Sequence, residues 1–191
     1  MSYLARAERR RSIVAAAAAV VARGGLSAVT ARIVAEELRG SPGQIHHHFA
    51  STDELAAEAW SHFARAEIEA YRDEVAGLDA RAALALFFGD LLSEEGDEAG
   101  DGTALARWAE AGAHAQLRPL VGASYLETLA QLTDVLASIL STRRPDPAQA
   151  RPAAGRLLML GVGLAGTTRI HGTPPVPVQV VMRSAIDAET S

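Results

Sequence analysis

Residues 9–55 read RRRSIVAAAAAVVARGGLSAVTARIVAEELRGSPGQIHHHFASTDEL, and the fold is decided in this stretch. Ile13, Ala16, Ala17, Val20 and Val21 recur at helical spacing and make one apolar stripe. Gly24 and Gly25 end that helix, because glycine enters the left-handed C-cap geometry at little cost. Thr30 stands where the N-cap of a second helix is needed, and Ile33, Val34 and Leu38 give that helix an apolar face. Ser41 is placed to cap a third helix, with Pro42 at the first position, where no amide donor is lost. Ile45 and Phe49 are four apart and bury one side of it. Gln44, His46, His47 and His48 are left toward the outside or the ends. Ser51 and Glu54 have the spacing of a capping box that opens a fourth helix. A supporting helix followed by two helices joined through a tight turn is the build of a helix-turn-helix.

These residues resemble the N-terminal domain of TetR-type transcriptional regulators. The matching pieces are the Arg-Arg pair before Ile13, Gly25, Thr30, Ile33-Val34-Ala35, Ser41-Pro42-Gly43, Ile45, His48-Phe49, Ser51 and Glu54-Leu55. The total length and the helical remainder also fit. The chain departs from the family at His46, where tyrosine is usual, and at Thr52, where a lysine usually meets a phosphate. It departs again in the turn, where the family usually has glycine in place of Arg39 and a buried aliphatic in place of Gly40. That departure predicts either a turn shifted by one residue or an Arg39 in an unusual conformation.

The expected DNA-contacting residues are Thr30, Arg32, Ser41, Gln44, His46, His47 and His48. Gln44 and His47 lie on the outer face of the third helix, where Gln pairs bidentately with adenine and His donates to guanine acceptors. The resemblance implies phosphate or sugar contacts for His46 and His48. Thr30 combines a cap with a phosphate contact, and Arg32, in the first turn of the second helix, is expected to face phosphate. For Arg9, Arg10 and Arg11 two readings stay open: a solvated first turn, or sequence-independent phosphate binding. The three consecutive histidines do not make a metal site. Successive helical residues point about 100° apart, so they cannot converge on one ion.

Charge distribution agrees with a nucleic-acid-binding head. Residues 1–50 hold seven arginines against three acids, a net +4, while the remainder holds eleven arginines against twenty acids, a net −9. A basic head on an acidic body is expected when only the head meets phosphate. The chain has no cysteine, which excludes disulfides and thiolate metal sites. Neither a GxSxG elbow, an HExxH pair nor a P-loop is present, so nothing marks an enzyme, and no cofactor is expected. His114 and His171 are lone histidines in apolar surroundings. The Arg9–Arg11 run before an alanine-rich stretch mimics a secretory leader but leads straight into the helix-turn-helix. The apolar run Leu157 to Gly166 falls short of the roughly 20 residues a membrane helix needs. The expected location is the cytoplasm.

Beyond Leu55 the periodicity remains helical. The fourth helix is expected to run to about Val75 and to stop at Gly77. Further helices are expected over residues 81–94, from Thr103, from Pro119 and over 157–170, with a last one near 177–188. Residues 94–102 read as an acidic, glycine-rich loop, and Val176 to Val181 carries a weak strand-like alternation. The fold class is therefore all-α, with about nine helices. A three-helix helix-turn-helix domain occupies residues 1–52, and residues 53–191 form a helical ligand-binding and dimerisation domain. The resemblance implies a homodimer joined through about 154–171 and 177–188. It also implies a repressor released from a palindromic double-stranded DNA operator by a small-molecule effector. Phe87, Phe88, Leu91, Trp108, His114, Tyr125 and Met159 are the candidate effector contacts, with plain core packing as the alternative for each. No charge cluster stands out in the body, so a mostly hydrophobic effector is expected, with at most one polar or cationic group. The rival reading is an all-helical carrier or enzyme with an incidental helix-turn-helix.

Overall fold

The computed structural model describes residues 3–93, 104–142, 146–170 and 174–190. Among these it contains ten α-helices and no strand. They are α1 (Tyr3–Gly24), α2 (Ala31–Glu37), α3 (Pro42–His48), α4 (Thr52–Glu74), α5 (Ala80–Phe87), α6 (Gly89–Leu92), α7 (Ala104–Ala115), α8 (Pro119–Ser141), α9 (Ala150–Thr167) and α10 (Val178–Thr190). The all-α expectation holds. The chain divides into two compact units, residues 1–66 with 110–128 and residues 67–109 with 129–191. The divisions fall inside α4, α7 and α8.

The first unit is built on the apolar stripe of α1. Ile13, Ala17, Val20 and Val21 are buried, as are Leu26, Val34, Ile45, Phe49 and Leu55 from the elements that follow. Trp60 is wholly buried; its indole N–H donates to the Thr128 hydroxyl at 3.0 Å, and its ring stacks on Tyr125 at 5.8 Å between centroids. Satisfying the indole donor inside the core avoids the cost of an unpaired buried N–H. Gly25 has φ +73°, and a Cβ there would run into the Glu110 carboxylate. That carboxylate accepts from the Ser27 amide at 3.1 Å and the Ser27 hydroxyl at 2.8 Å. Glycine is needed here for its dihedral and for the close approach together.

In the second unit, Leu84, Leu105, Leu132, Leu136, Leu140, Leu157, Met182 and Ile186 are buried aliphatic side chains of the core. The Tyr71 hydroxyl donates to the Ala83 carbonyl at 2.9 Å. Phe88 is fully buried and lies over Gly161, where any Cβ would collide with its ring. The single helix expected over 81–94 is two pieces. The chain leaves α-geometry at Phe88 (φ −95°, ψ 16°) just before Gly89 and resumes as the short α6. Asp79 caps α5 through its carboxylate, which accepts from the Ala82 amide at 2.9 Å. Gly77, at φ +87°, sits just beyond the end of α4, where a helix stop was expected. Val176 to Val181 is not a strand, and α10 starts within it. Thr103, the loop 94–102 and His171 lie outside the described residues.

The helix α9 has two different faces. Leu157, Leu158, Gly161 and Ala165 are buried, while Met159 is 69% exposed and Ile170, just past the helix, is 68% exposed. A Cβ at Gly155 or Gly163 would meet nothing. On α10, Val180 is 53% exposed on the side away from buried Met182 and Ile186.

Candidate nucleic-acid interface and ligand cavity

The recognition helix α3 is seven residues long, too short to hold itself in water, so its neighbours must fix it. Ile45 and Phe49 anchor it from beneath. Arg10 holds its far end. The guanidinium donates to the His48 carbonyl at the C-terminus of α3, pairs with Glu54 at 2.7 Å and with Glu58, and lies 4.1 Å from the Phe49 ring centroid. A cation belongs at a helix C-terminus, where carbonyls are left without amide partners. Arg10 is therefore a structural clamp, a third role beside the two left open for the arginine run, while Arg6, Arg9 and Arg11 are exposed.

Glu54 is shared between two tasks. One oxygen meets Arg10, the other accepts from the Ala50 amide at 2.7 Å, and the Ser51 hydroxyl accepts from the Glu54 amide at 3.0 Å. This is the expected capping box, with the return bond one residue further upstream. The hydrogen bond from Arg10, then that from Ala50, holds the Glu54 carboxyl below the ordinary carboxylate range.

The turn between α2 and α3 settles the question posed by Arg39. Leu38 is still helical, Arg39 takes φ +52°, the Arg39 amide donates to the Glu36 carbonyl at 3.0 Å, and the Gly40 amide donates to the Ala35 carbonyl at 2.8 Å. These two bonds define a Schellman motif, with arginine in the left-handed position that glycine usually takes. The turn is not shifted; the unusual conformation is the one adopted. A Cβ at Gly40 would lie 2.7 Å from the Gln44 side-chain oxygen, so glycine at 40 leaves Gln44 its place.

Each expected DNA-contacting residue is at or near the surface. Thr30, Arg32, Ser41, Gln44, His46 and His47 are exposed and His48 is half-buried. Thr30 caps α2 through its hydroxyl, which accepts from the Ile33 amide at 3.2 Å. Ser41 departs from expectation: its hydroxyl makes no capping bond, and its backbone carbonyl accepts from Gln44 at 3.0 Å. Arg32 pairs with Glu36 at 2.8 Å, one turn along α2. An exposed pair of this kind contributes little and exchanges readily for a phosphate. Burial first, and then the positive charge of His47, Arg6, Arg10 and Arg9, holds the His48 imidazole below the ordinary histidine range. A cationic cluster thus gathers between the start of α1 and the end of α3.

The second unit contains a cavity of about 270 Å³ lined by Tyr71, Phe87 and Trp108, by Ile68, Leu86 and Leu132, and by Glu67, Glu74 and Asp90, with Ala70 and Ala104 completing the wall. Of the candidate effector contacts, Phe87 and Trp108 are brought together here. Phe88 and Leu91 are buried in the core, His114 and Tyr125 belong to the first unit, and Met159 is exposed on α9. His114 lies 3.7 Å from Glu110. The three carboxylates were missed. Glu67, Tyr71 and Glu74 are spaced by four and three on α4, which was the available signal, whereas Asp90 joins them only through packing.

The match to known proteins is concentrated where the geometry is most specific. Residues 13–59 match the family model of bacterial regulatory proteins of the tetR family. In this segment the chain is similar to that family. No curated protein matches it in sequence. A Rhodococcus sp. protein assigned to the TetR family is 25% identical with a TM-score of 0.67, over 96% of this chain and 100% of the other. The fold is shared with a Saccharomonospora viridis protein solved with choline, 23% identical, TM-score 0.64, covering 95% of each chain. It is also shared with the Bacillus subtilis transcriptional regulator FadR solved with stearoyl-CoA, 17% identical, TM-score 0.60, covering 95% of this chain and 97% of that one.

The helix-turn-helix carries its own variations on the recognition surface. His46 is exposed in place of the usual tyrosine, and Thr52 is exposed at the start of α4 in place of the usual lysine. No helix among the described residues is long and apolar enough to cross a membrane.

Proposed function

We propose that this chain is a homodimeric, ligand-responsive transcriptional repressor of the cytoplasm. Two copies of α3 enter successive major grooves of a near-palindromic operator, roughly 34–36 Å or somewhat more apart. A small molecule in the cavity of the second unit favours a state in which that spacing is lost. The observation that carries this reading is the presentation of α3. Gln44, His46 and His47 are exposed on a short helix pinned by Ile45, Phe49 and Arg10, so the polar side chains of a rigid element are free to read base edges. Gln44 and His47 specify bases; Thr30, Arg32, Ser41, His46 and His48 position the backbone. The open face of α9, with Met159 exposed and nothing against Gly155 or Gly163, supports dimerisation through α9 and α10. Relatives of this fold solved with choline and with stearoyl-CoA support ligand control without naming the ligand here.

Selection of binding sites from random duplexes tests the reading. It should return a two-fold symmetric motif bound with an affinity that falls steeply with salt. Recovery of no symmetric motif, with binding no tighter than to bulk DNA, would refute it.

A further inference from the structure

The lining of the cavity in the second unit carries three carboxylates. Glu67 and Glu74 on α4 and Asp90 on α6 face it, and no arginine or histidine is among its lining residues. Glu74 and Asp90 are exposed, but Glu67 is half-buried and has no hydrogen-bond or ion-pair partner among the described residues. Burial alone pushes the Glu67 carboxyl above the ordinary carboxylate range, as expected where no counter-charge faces it. Three aromatic side chains share the lining: Tyr71, Phe87 and Trp108. The Tyr71 hydroxyl is taken up by the Ala83 carbonyl, so its ring is what remains for a ligand. Tyr71 and Phe87 meet edge to face at 5.0 Å between centroids.

The geometry points to a small organic cation, an amine or quaternary ammonium, as the ligand class of this cavity. Aromatic faces attract a cation through the ring quadrupole, more strongly out of bulk water. A carboxylate partly removed from water is stabilised by a cation and repels an anion. The volume of about 270 Å³ corresponds to roughly nine waters, so the occupant has on the order of ten non-hydrogen atoms. This narrows the effector expected from sequence, mostly hydrophobic with at most one polar or cationic group, to a cationic one, because packing brings Asp90 of α6 to the pair Glu67 and Glu74 of α4. The inference rests on the regulatory reading for its consequence, operator release, but not for the binding itself.

The test is calorimetric titration of the full-length protein with three probes of similar size: benzyltrimethylammonium, para-tert-butylbenzyl alcohol and para-tert-butylbenzoate. The cation should bind at least about tenfold more tightly than the alcohol, and the benzoate should not bind measurably. Glu67→Gln should weaken the cation about tenfold while changing the alcohol little, and Phe87→Leu should weaken the cation as well. Affinity for the cation should fall as pH drops through the raised Glu67 pKa, since the ionised carboxylate is the binding form. The proposal is overturned if the alcohol or the benzoate binds as well as the cation, if both variants bind the cation like wild type, or if no probe binds. Operator release followed in parallel separates the two readings. Cation binding without release upholds the ligand class and removes the regulatory reading. Release by the benzoate or the alcohol keeps regulation and overturns the class.

Discussion

Arg39 sits in the left-handed region at φ +52° and is exposed, so replacing it with glycine probes the turn itself more than any side-chain contact. An L-residue with a Cβ pays about 1–2 kcal/mol in this conformation. Glycine avoids that cost but loses about 0.5–1 kcal/mol through the greater freedom of its unfolded chain. The difference predicts that Arg39→Gly stabilises the protein by about 0.5–1 kcal/mol. Arg39→Ala keeps the strain and should be nearly neutral. Arg39→Val adds branching at Cβ and should be destabilising.

The assay is urea unfolding at fixed protein concentration, since a dimer's stability depends on concentration. For a chain of this size the glycine variant should also melt about 1–3 °C higher. The stability order glycine, then arginine and alanine together, then valine is the diagnostic result. If alanine stabilised as much as glycine, the arginine side chain and not the backbone would be the source of strain. If glycine destabilised, the Schellman bonds from Arg39 and Gly40 to Glu36 and Ala35 would not be what holds this turn.

Four further outcomes are expected. Arg10→Met should cost about 1–3 kcal/mol, because it strips the α3 carbonyl end and leaves Glu54 and Glu58 unpaired, and it should weaken binding to all DNA sequences alike. Glu54, whose folded pKa is depressed, contributes stability that is present above its ordinary value and lost as pH falls through the folded one; acid titrations of unfolding should show a smaller loss in Arg10→Met than in wild type. His48 is held toward the neutral form, and a phosphate placed against its cationic neighbours favours the imidazolium, so operator binding should take up protons and strengthen as pH falls below the ordinary histidine value. Calorimetry in two buffers of different ionisation enthalpy measures this uptake, and identical heats in both would refute the linkage. Met159→Arg places a charge on the open face of α9 without touching the core, so sedimentation should find a folded monomer. An unchanged dimer would put the interface elsewhere.

What sequence alone determined here is local. The caps at Thr30 and Ser51, Pro42 at the first position of α3, and the pair Ile45 and Phe49 lie within one or two turns of what they contact, so helical spacing is enough to read them. The anomaly at Arg39 was legible for the same reason: a two-residue turn leaves only two ways to place a misplaced glycine. Which of the two is adopted was decided by the backbone bonds of Gly40 and Arg39. Tertiary structure alone decided the rest. Helical period says which face of a helix is apolar but not which element buries it. Arg10 finds its partners 38 to 48 residues away. The break falls at Phe88, whose ring packs over Gly161, 73 residues on. The carboxylates Glu67, Glu74 and Asp90 form one wall only because α4 and α6 bring them there, and the same packing set Phe87 beside Trp108 while leaving Met159 outside. The candidate surface for DNA was readable because its residues lie close together in sequence, on α2 and α3; the cavity was not, because it is lined from five helices.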